Sequence, residues 1–519
     1  MHRIIQSGFP VARVACLLLV LAVGARAQSV EPLAPPPKEE EIRKSLEQIT
    51  AVFDAVSTHL ADPVDPVSAI YGGVLPGVLA RLDPFSVFLD KDQFQLMQQQ
   101  SRGVRQGFGA VLSVQAGRII VLQSVPDSPF GRAGLGPGDR IVGINGKRVA
   151  SLDLEELVQL LNEARSGKVR LAVLQGGSVV ARDYEMDPTE LPSPTVDKKF
   201  LWDAAVGYLH IARIEPGTPD EIRKTLEEWS PQPLRGLIMD LRDNPGGSVE
   251  AAVEIAGMFL PQGATVVSLQ GRSVPERKYL VEEPPPYPAM PLVVLLNSRS
   301  ASAAEMIAAA LQDHDRAWLV GEPSFGKGVA EAVMPLSEGN ALVLTTARYY
   351  TPQGRSLQKP LPGTSLAGIL EGGPRQFFTD HGRPIGEQGG VEPDQRAEPW
   401  RLDQWTEILQ QTTAFINFAQ GLVDRRKPVT EQFQVDDQVL EEFRRYLRQS
   451  GMEIPEPDWQ GDLPFIRMSI QAEVLNLVFG IGKGDEAALR ADPQARVAAE
   501  AISQAERLLA TPAAQPVWR

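Results

Sequence analysis

A chain of 519 residues with 43% hydrophobic composition can bury several cores, and about three domains is the expected division. Its net charge of −14 opposes nucleic acid and anionic lipid as partners. The single cysteine, Cys16, rules out a disulfide, and the histidines show no His-x-x-x-His spacing, so no metal or other cofactor is implied.

Residues 1–27 read as a secretory signal. Arg3 and Arg13 lie in a segment without acids, Val14 to Gly24 is nearly all apolar, and Ala25-Arg26-Ala27 offers small residues for cleavage after Ala27. The apolar run falls short of the roughly 20 residues that cross a bilayer. The mature chain is therefore expected without a membrane span and without cysteine, exported to a periplasm or the external medium. Residues 28–100 follow as a proline-rich leader and a helical region. Ile42, Leu46, Ile49, Val52, Phe53 and Val56 recur at three- and four-residue spacing and predict an amphipathic helix over 41–60.

Residues 101–188 carry short strands, 110–114, 118–121 and 168–174, around a predicted helix over 152–164. Gly107-Phe108-Gly109-Ala110 precedes the first strand. A glycine-rich loop of this kind leaves backbone N–H groups free for a peptide's terminal carboxylate; the alternative is a plain turn.

Residues 189–400 alternate strands and helices. The strand 236–242 runs into Asp243-Asn244-Pro245-Gly246-Gly247-Ser248, and Leu292 to Leu296 runs into Asn297-Ser298-Arg299-Ser300-Ala301-Ser302-Ala303-Ala304-Glu305 at the start of a helix. Ser302 is thus presented at a helix N-terminus, where it either acts as a nucleophile or simply begins a Ser-x-x-Glu capping box. Lys327, in Gly321-Glu322-Pro323-Ser324-Phe325-Gly326-Lys327-Gly328, is the candidate base. A lysine serves as base only where its surroundings disfavour the ammonium form. The same stretch matches the first seven positions of a phosphate-binding loop, but Gly328 stands where a hydroxyl should hold magnesium and Pro335 interrupts the helix such a loop opens.

Ser300 to Glu305, Ala310 to Asp313, Arg316-Ala317 and Val320 to Gly328 closely resemble the signature of the carboxy-terminal processing peptidases, also called tail-specific proteases. The resemblance implies Ser302 as nucleophile and Lys327 as its base. Asp240-Leu241-Arg242-Asp243-Asn244-Pro245-Gly246-Gly247 follows the family's Asp-Leu-Arg-x-Asn-Pro-Gly-Gly, which implies an oxyanion hole from the Ala303 N–H and that of Gly246 or Gly247, the choice left open. Residues 101–188 resemble a PDZ domain, which implies peptide binding at Gly107 to Ala110. The N-terminal helix resembles an arm that pairs subunits in the family, which implies a homodimer. Two residues depart from the pattern: Phe85 replaces a usual histidine, and Glu331 replaces the glutamine usually found four residues after the lysine. Were Glu331 to reach Lys327, its charge would favour the ammonium and confine activity to alkaline pH or to a ligand-bound PDZ state.

Residues 401–519 are predicted as a helical C-terminal domain, with helices over 405–422, 437–448, 465–479 and 495–509. The whole reads as an α/β (α+β) protein with a crotonase- or Clp-protease-like core, an inserted PDZ domain and a helical tail. The expected function is that of an exported serine endopeptidase acting by a Ser/Lys dyad on protein substrates recognised near their C-termini. The rival is a catalytically weak peptide-binding scaffold retaining the fold.

Overall fold

The computed structural model describes residues 39–511 apart from short internal stretches, the longest 367–375, so the expected signal segment lies outside the described residues. Among the described residues, no helix is long and apolar enough to cross a membrane. Helix α1, Glu39–His59, opens on three glutamates that complement the positive end of its dipole. It forms where its periodicity predicts, but none of its residues is buried, and Ile42, Leu46, Ile49 and Val52 stay exposed.

The next unit is a six-stranded antiparallel sheet that includes β1, Ala110–Gln115, and β2, Arg118–Ser124, closed by helix α2, Leu154–Ala164. Leu157, Leu160 and Ala164 recur at helical spacing, and they meet Ile119, Val121, Ile141, Ile144 and Val169 in one core. Strand β1 lies at the sheet's edge.

The larger core is built on a second six-stranded sheet. It takes β3 Val196–Leu201, β4 Val206–Ile211, β5 Gly236–Asp240, β7 Leu292–Leu296, β8 Trp318–Gly321 and β11 Gln395–Arg396 in that order, antiparallel between the first pair and parallel thereafter. Helices α3 Thr218–Trp229, α4 Val249–Gly257 and α5 Ala303–Asp313 supply the crossovers. Covered on both faces, β5 and β7 are buried at every position, which explains their unbroken apolar runs. Every residue of α5 is buried as well, and its alanines let neighbouring elements approach closely. A third sheet joins β6 Thr265–Gln270, β9 Val329–Pro335, β10 Ala341–Tyr350 and the short strand Val87–Leu89.

The chain after Asp403 is helical, and its helices pack in two directions. Helices α6 Ala414–Arg425, α7 Asp437–Gln449 and α8 Leu463–Phe479 form a bundle around Phe415, Phe418, Phe443 and Trp459, which also takes in Ile120 and Leu122 of β2. Helices α9 Ile481–Ala491, α10 Pro493–Glu500 and α11 Ile502–Ala510 turn back to this second six-stranded sheet. There Ala495, Ala498, Ala501, Ile502 and Ala505 cover Val206, Tyr208, Ile238, Val293, Leu295 and Val320, the face opposite α3 to α5. The close fit depends on a missing side chain: a Cβ on Gly236 would lie 2.9 Å from Ile502 Cδ1. The predicted helix over 495–509 is interrupted at Ala501, and α9 is an addition to the prediction, because its mixed sequence Ile481-Gly482-Lys483-Gly484-Asp485 lacks a continuous apolar period.

Candidate active site

Strand β7 ends in a turn fixed by buried hydrogen bonds. Ser300 Oγ accepts from the Asn297 N–H at 3.0 Å and donates to Leu241 O at 2.8 Å, while the Ala301 N–H donates to Asn244 O at 2.9 Å. These ties force Ser302 to φ 57°, ψ −117°, a conformation that costs a non-glycine residue about 1–3 kcal/mol and so requires such support. The Ser302 N–H donates to Glu305 Oε2 at 2.8 Å, the return half of the expected capping box.

Glu305 does more than cap its helix. Buried completely, it accepts from the N–H of Ser302 and the N–H of Lys327 on one oxygen, Oε2, both at 2.8 Å. Its other oxygen accepts from the Gly326 N–H at 2.7 Å and the Ser324 hydroxyl at 2.5 Å. One carboxylate therefore sets the distance between the serine turn and the lysine loop. Burial pushes its carboxyl up to about 7, with the hydrogen bonds from Ser324 and the backbone opposing. Sequence reading found Glu305 only as a cap, since its bonds to residues 324–327 span the chain without a local pattern.

Lys327 is 7% exposed and points its Nζ to Glu331 Oε1 at 2.9 Å. Oε1 has no hydrogen-bond partner of good geometry among the described residues. Four residues of straight strand would separate the pair by roughly 13 Å. A register shift between Ala330 and Glu331 breaks the regular strand between them. Burial raises the Glu331 carboxyl above its ordinary range, the Lys327 charge opposing. The ammonium also sits 5.1 Å from the centroid of the Phe85 ring. Phe85 packs with Val329 and Leu366, a role that a position more than two hundred residues before the lysine gave no means of reading.

The turn after β5 packs directly on the serine. A Cβ on Gly246 would lie 2.7 Å from Ser302 Cβ and 2.9 Å from Ala303 N, and one on Gly247 would strike Ile214 O, so both positions need glycine. The two glycines differ in what their N–H groups do. That of Gly246 donates to Asn244 Oδ1 at 2.8 Å, whereas those of Gly247 and Ala303 have no partner among the described residues. Asn244 in turn donates from Nδ2 to Ile211 O at 2.7 Å, locking the turn to β4.

In the smaller unit, Gly107 pairs with Thr189, Gly109 adopts φ 75°, and Ala110 pairs with Ser124. Phe108 O and Gly109 O accept from the N–H groups of Phe130 and Val125 at 3.0 and 2.8 Å, while the N–H groups of Phe108 and Gly109 have no partner among the described residues. No group of three or more potential metal-binding side chains occurs among the described residues.

Comparison with known proteins agrees with this architecture. The profile of peptidase family S41 matches residues 205–365, and that of the PDZ domain matches residues 120–175. The chain is 30% identical to the carboxy-terminal-processing protease of Bartonella bacilliformis over 62% of this chain and 74% of that protein. It is 32% identical to the carboxyl-terminal-processing protease of Synechocystis over 54% of this chain and 67% of that one. A solved photosystem II D1 C-terminal processing protease is 24% identical, covering 69% of this chain and 93% of that one at a TM-score of 0.38. The chain belongs to peptidase family S41, the serine-type carboxy-terminal processing proteases, and carries that family's PDZ domain.

Proposed function

We propose that the chain is an exported endopeptidase in which Ser302 is the nucleophile, Lys327 its base, and the N–H groups of Gly247 and Ala303 the oxyanion hole. The observation that carries this reading is the single Glu305 oxygen that receives both the Ser302 and the Lys327 N–H. Ser302 Oγ attacks the scissile carbonyl carbon as its proton passes to neutral Lys327 Nζ. The negative oxygen of the tetrahedral intermediate is held by the two free N–H groups, and Gly246 is left out because its own is already committed to Asn244. The Lys327 ammonium then protonates the departing amine, and water releases the acyl group by the same route reversed. Protein substrates reach the site by way of the PDZ domain, which holds the carboxyl end of a peptide over residues 107–110. Export rests on the signal-like residues 1–27, and the exposed Ile42, Leu46, Ile49 and Val52 of α1 support a reading in which two copies pair.

Ser302→Ala should abolish cleavage of a protein substrate by the full chain while peptide binding by the PDZ domain persists. Ser302 heads a capping box with Glu305, so the loss of stability should stay within about 0.5–2 kcal/mol, the usual cost of losing a cap. Cleavage at the wild-type rate would remove Ser302 from the mechanism.

A further inference from the structure

Arg242 lies two residues beyond the strand Gly236–Asp240 that leads into the oxyanion turn, and it is held from both sides. Toward the core, its Nε lies 3.0 Å from each Asp240 oxygen, and its Nη2 donates to Asp240 Oδ2 at 2.7 Å. Asp240 is buried; burial alone would raise its carboxyl, but the Arg242 charge, followed by His210, brings it down to about 2. Toward the tail, Arg242 Nη1 donates to Asp492 Oδ1 at 3.0 Å and to Gln494 Oε1 at 2.9 Å. Both partners lie at the start of α10, some 250 residues further along the chain.

Gln494, 3% exposed, makes a second connection. Its Nε2 donates to Ala397 O at 2.9 Å and approaches Glu322 Oε2 at 3.4 Å. Glu322 belongs to the loop that carries Lys327, and the Ala397 N–H donates to Gly321 O at 3.0 Å where that loop begins. One amide thus touches the strand leading to the oxyanion turn with its oxygen, and the loop leading to the base with its nitrogen.

We propose that Asp492 and Gln494 are positioning residues of the peptidase, through which the terminal helices hold the oxyanion turn and the lysine loop in mutual register. The inference rests on the Ser302/Lys327 reading and assigns the end of the tail to the catalytic machinery. A guanidinium that loses a buried partner keeps its charge and must find another, which moves the turn that follows it. Displacement of about 1 Å at an oxyanion donor is enough to cost about 100-fold in rate.

The test uses the full chain with three variants: Gln494→Ala, Asp492→Asn and Ile502→Val. Asp492 also caps α10 by accepting from the Ala495 N–H at 2.7 Å, and asparagine preserves that cap while removing the charge. Ile502 packs on the same sheet face but touches none of these hydrogen bonds, so it reports the cost of loosening the helices alone. Gln494→Ala should lower kcat about 10- to 100-fold, with KM within about twofold of wild type and affinity for a PDZ peptide unchanged. Asp492→Asn should lower kcat in the same direction, and Ile502→Val should lower the melting temperature without lowering kcat. Should Gln494→Ala not fold, the kcat of Asp492→Asn decides. Unchanged kcat in the folded network variants, or a kcat loss in Ile502→Val that tracks its melting temperature equally well, overturns the proposal. Ser302→Ala, run beside them, separates the two readings: retained cleavage there overturns the dyad and the proposal built on it, while its abolition leaves the tail variants to judge the positioning role alone.

Discussion

At the scale of single residues, the site is governed by how a buried carboxylate is partnered. Glu305 accepts four hydrogen bonds and organises the backbone, whereas Glu331 Oε1 faces the Lys327 ammonium at 2.9 Å with no hydrogen-bond partner among the described residues. Burial raises the Glu331 carboxyl, so its charge opposite Lys327 Nζ, 2.9 Å away, is gained only as pH rises through that raised range. Glu331→Gln, which keeps the shape and removes the charge, should therefore depart from the wild-type kcat/KM profile as pH rises through that range. Superimposable profiles would mean that the pair separates before the chemistry. The sequence already displayed Ser302, Lys327 and the unusual Glu331. It withheld the choice between Gly246 and Gly247, which depends on the side-chain oxygen of Asn244 occupying one N–H, and it withheld Glu305's grip on residues 324–327, because both require distances across the fold rather than along the chain.

Elements are legible in proportion to how regular their burial is. The strands Leu292–Leu296 and Gly236–Asp240 are covered on both faces, so their apolar runs announce them, while Thr265–Gln270 and its edge-strand partner Arg277–Leu280 carry mixed residues and escaped notice. The same regularity exposes a contrast in α1, where Ile42, Leu46, Ile49 and Val52 of the periodic apolar stripe stay exposed among the described residues. In the PDZ unit, the first strand is an edge strand preceded by two unpartnered N–H groups, Phe108 and Gly109, beside an apolar interior. A peptide added along that edge should place its terminal carboxylate on those donors. Calorimetric titration should show a peptide with an apolar last residue binding substantially more tightly as the free acid than as the amide, because the amide brings its own N–H against the donors. Equal affinity of the two forms would move recognition away from residues 107–110.

For the whole molecule, the arrangement of the tail decides what can be removed. The bundle of α6 to α8 shares its core with Ile120 and Leu122 of the PDZ sheet, while α9 to α11 close the second face of the peptidase sheet, so the two halves of the tail grip different neighbours. Nothing in the periodicity of residues 401–519 distinguishes these roles, since an apolar stripe marks a face to be buried without saying which neighbour covers it. A chain ending at Gly480 would uncover Val206, Tyr208, Ile238, Val293, Leu295 and Val320, all now nearly inaccessible to water. At about 1.5–3 kcal/mol for burying each large apolar side chain, these losses together rival the entire stability of about 5–15 kcal/mol that a domain possesses. The truncation also strips Arg242 of Asp492 and Gln494, leaving part of a buried guanidinium unmatched. The expected result is loss of the cooperative melting transition of the peptidase core and of all cleavage, with the protein recovered mainly as aggregate, because the uncovered face is a continuous apolar patch. Supplying residues 481–511 on a separate chain at co-expression should restore soluble protein, since the contact is a face rather than a threaded segment. A truncated chain that melts cooperatively at the full-length temperature would show instead that the sheet is stable with one face bare, and would detach the terminal helices from the catalytic fold.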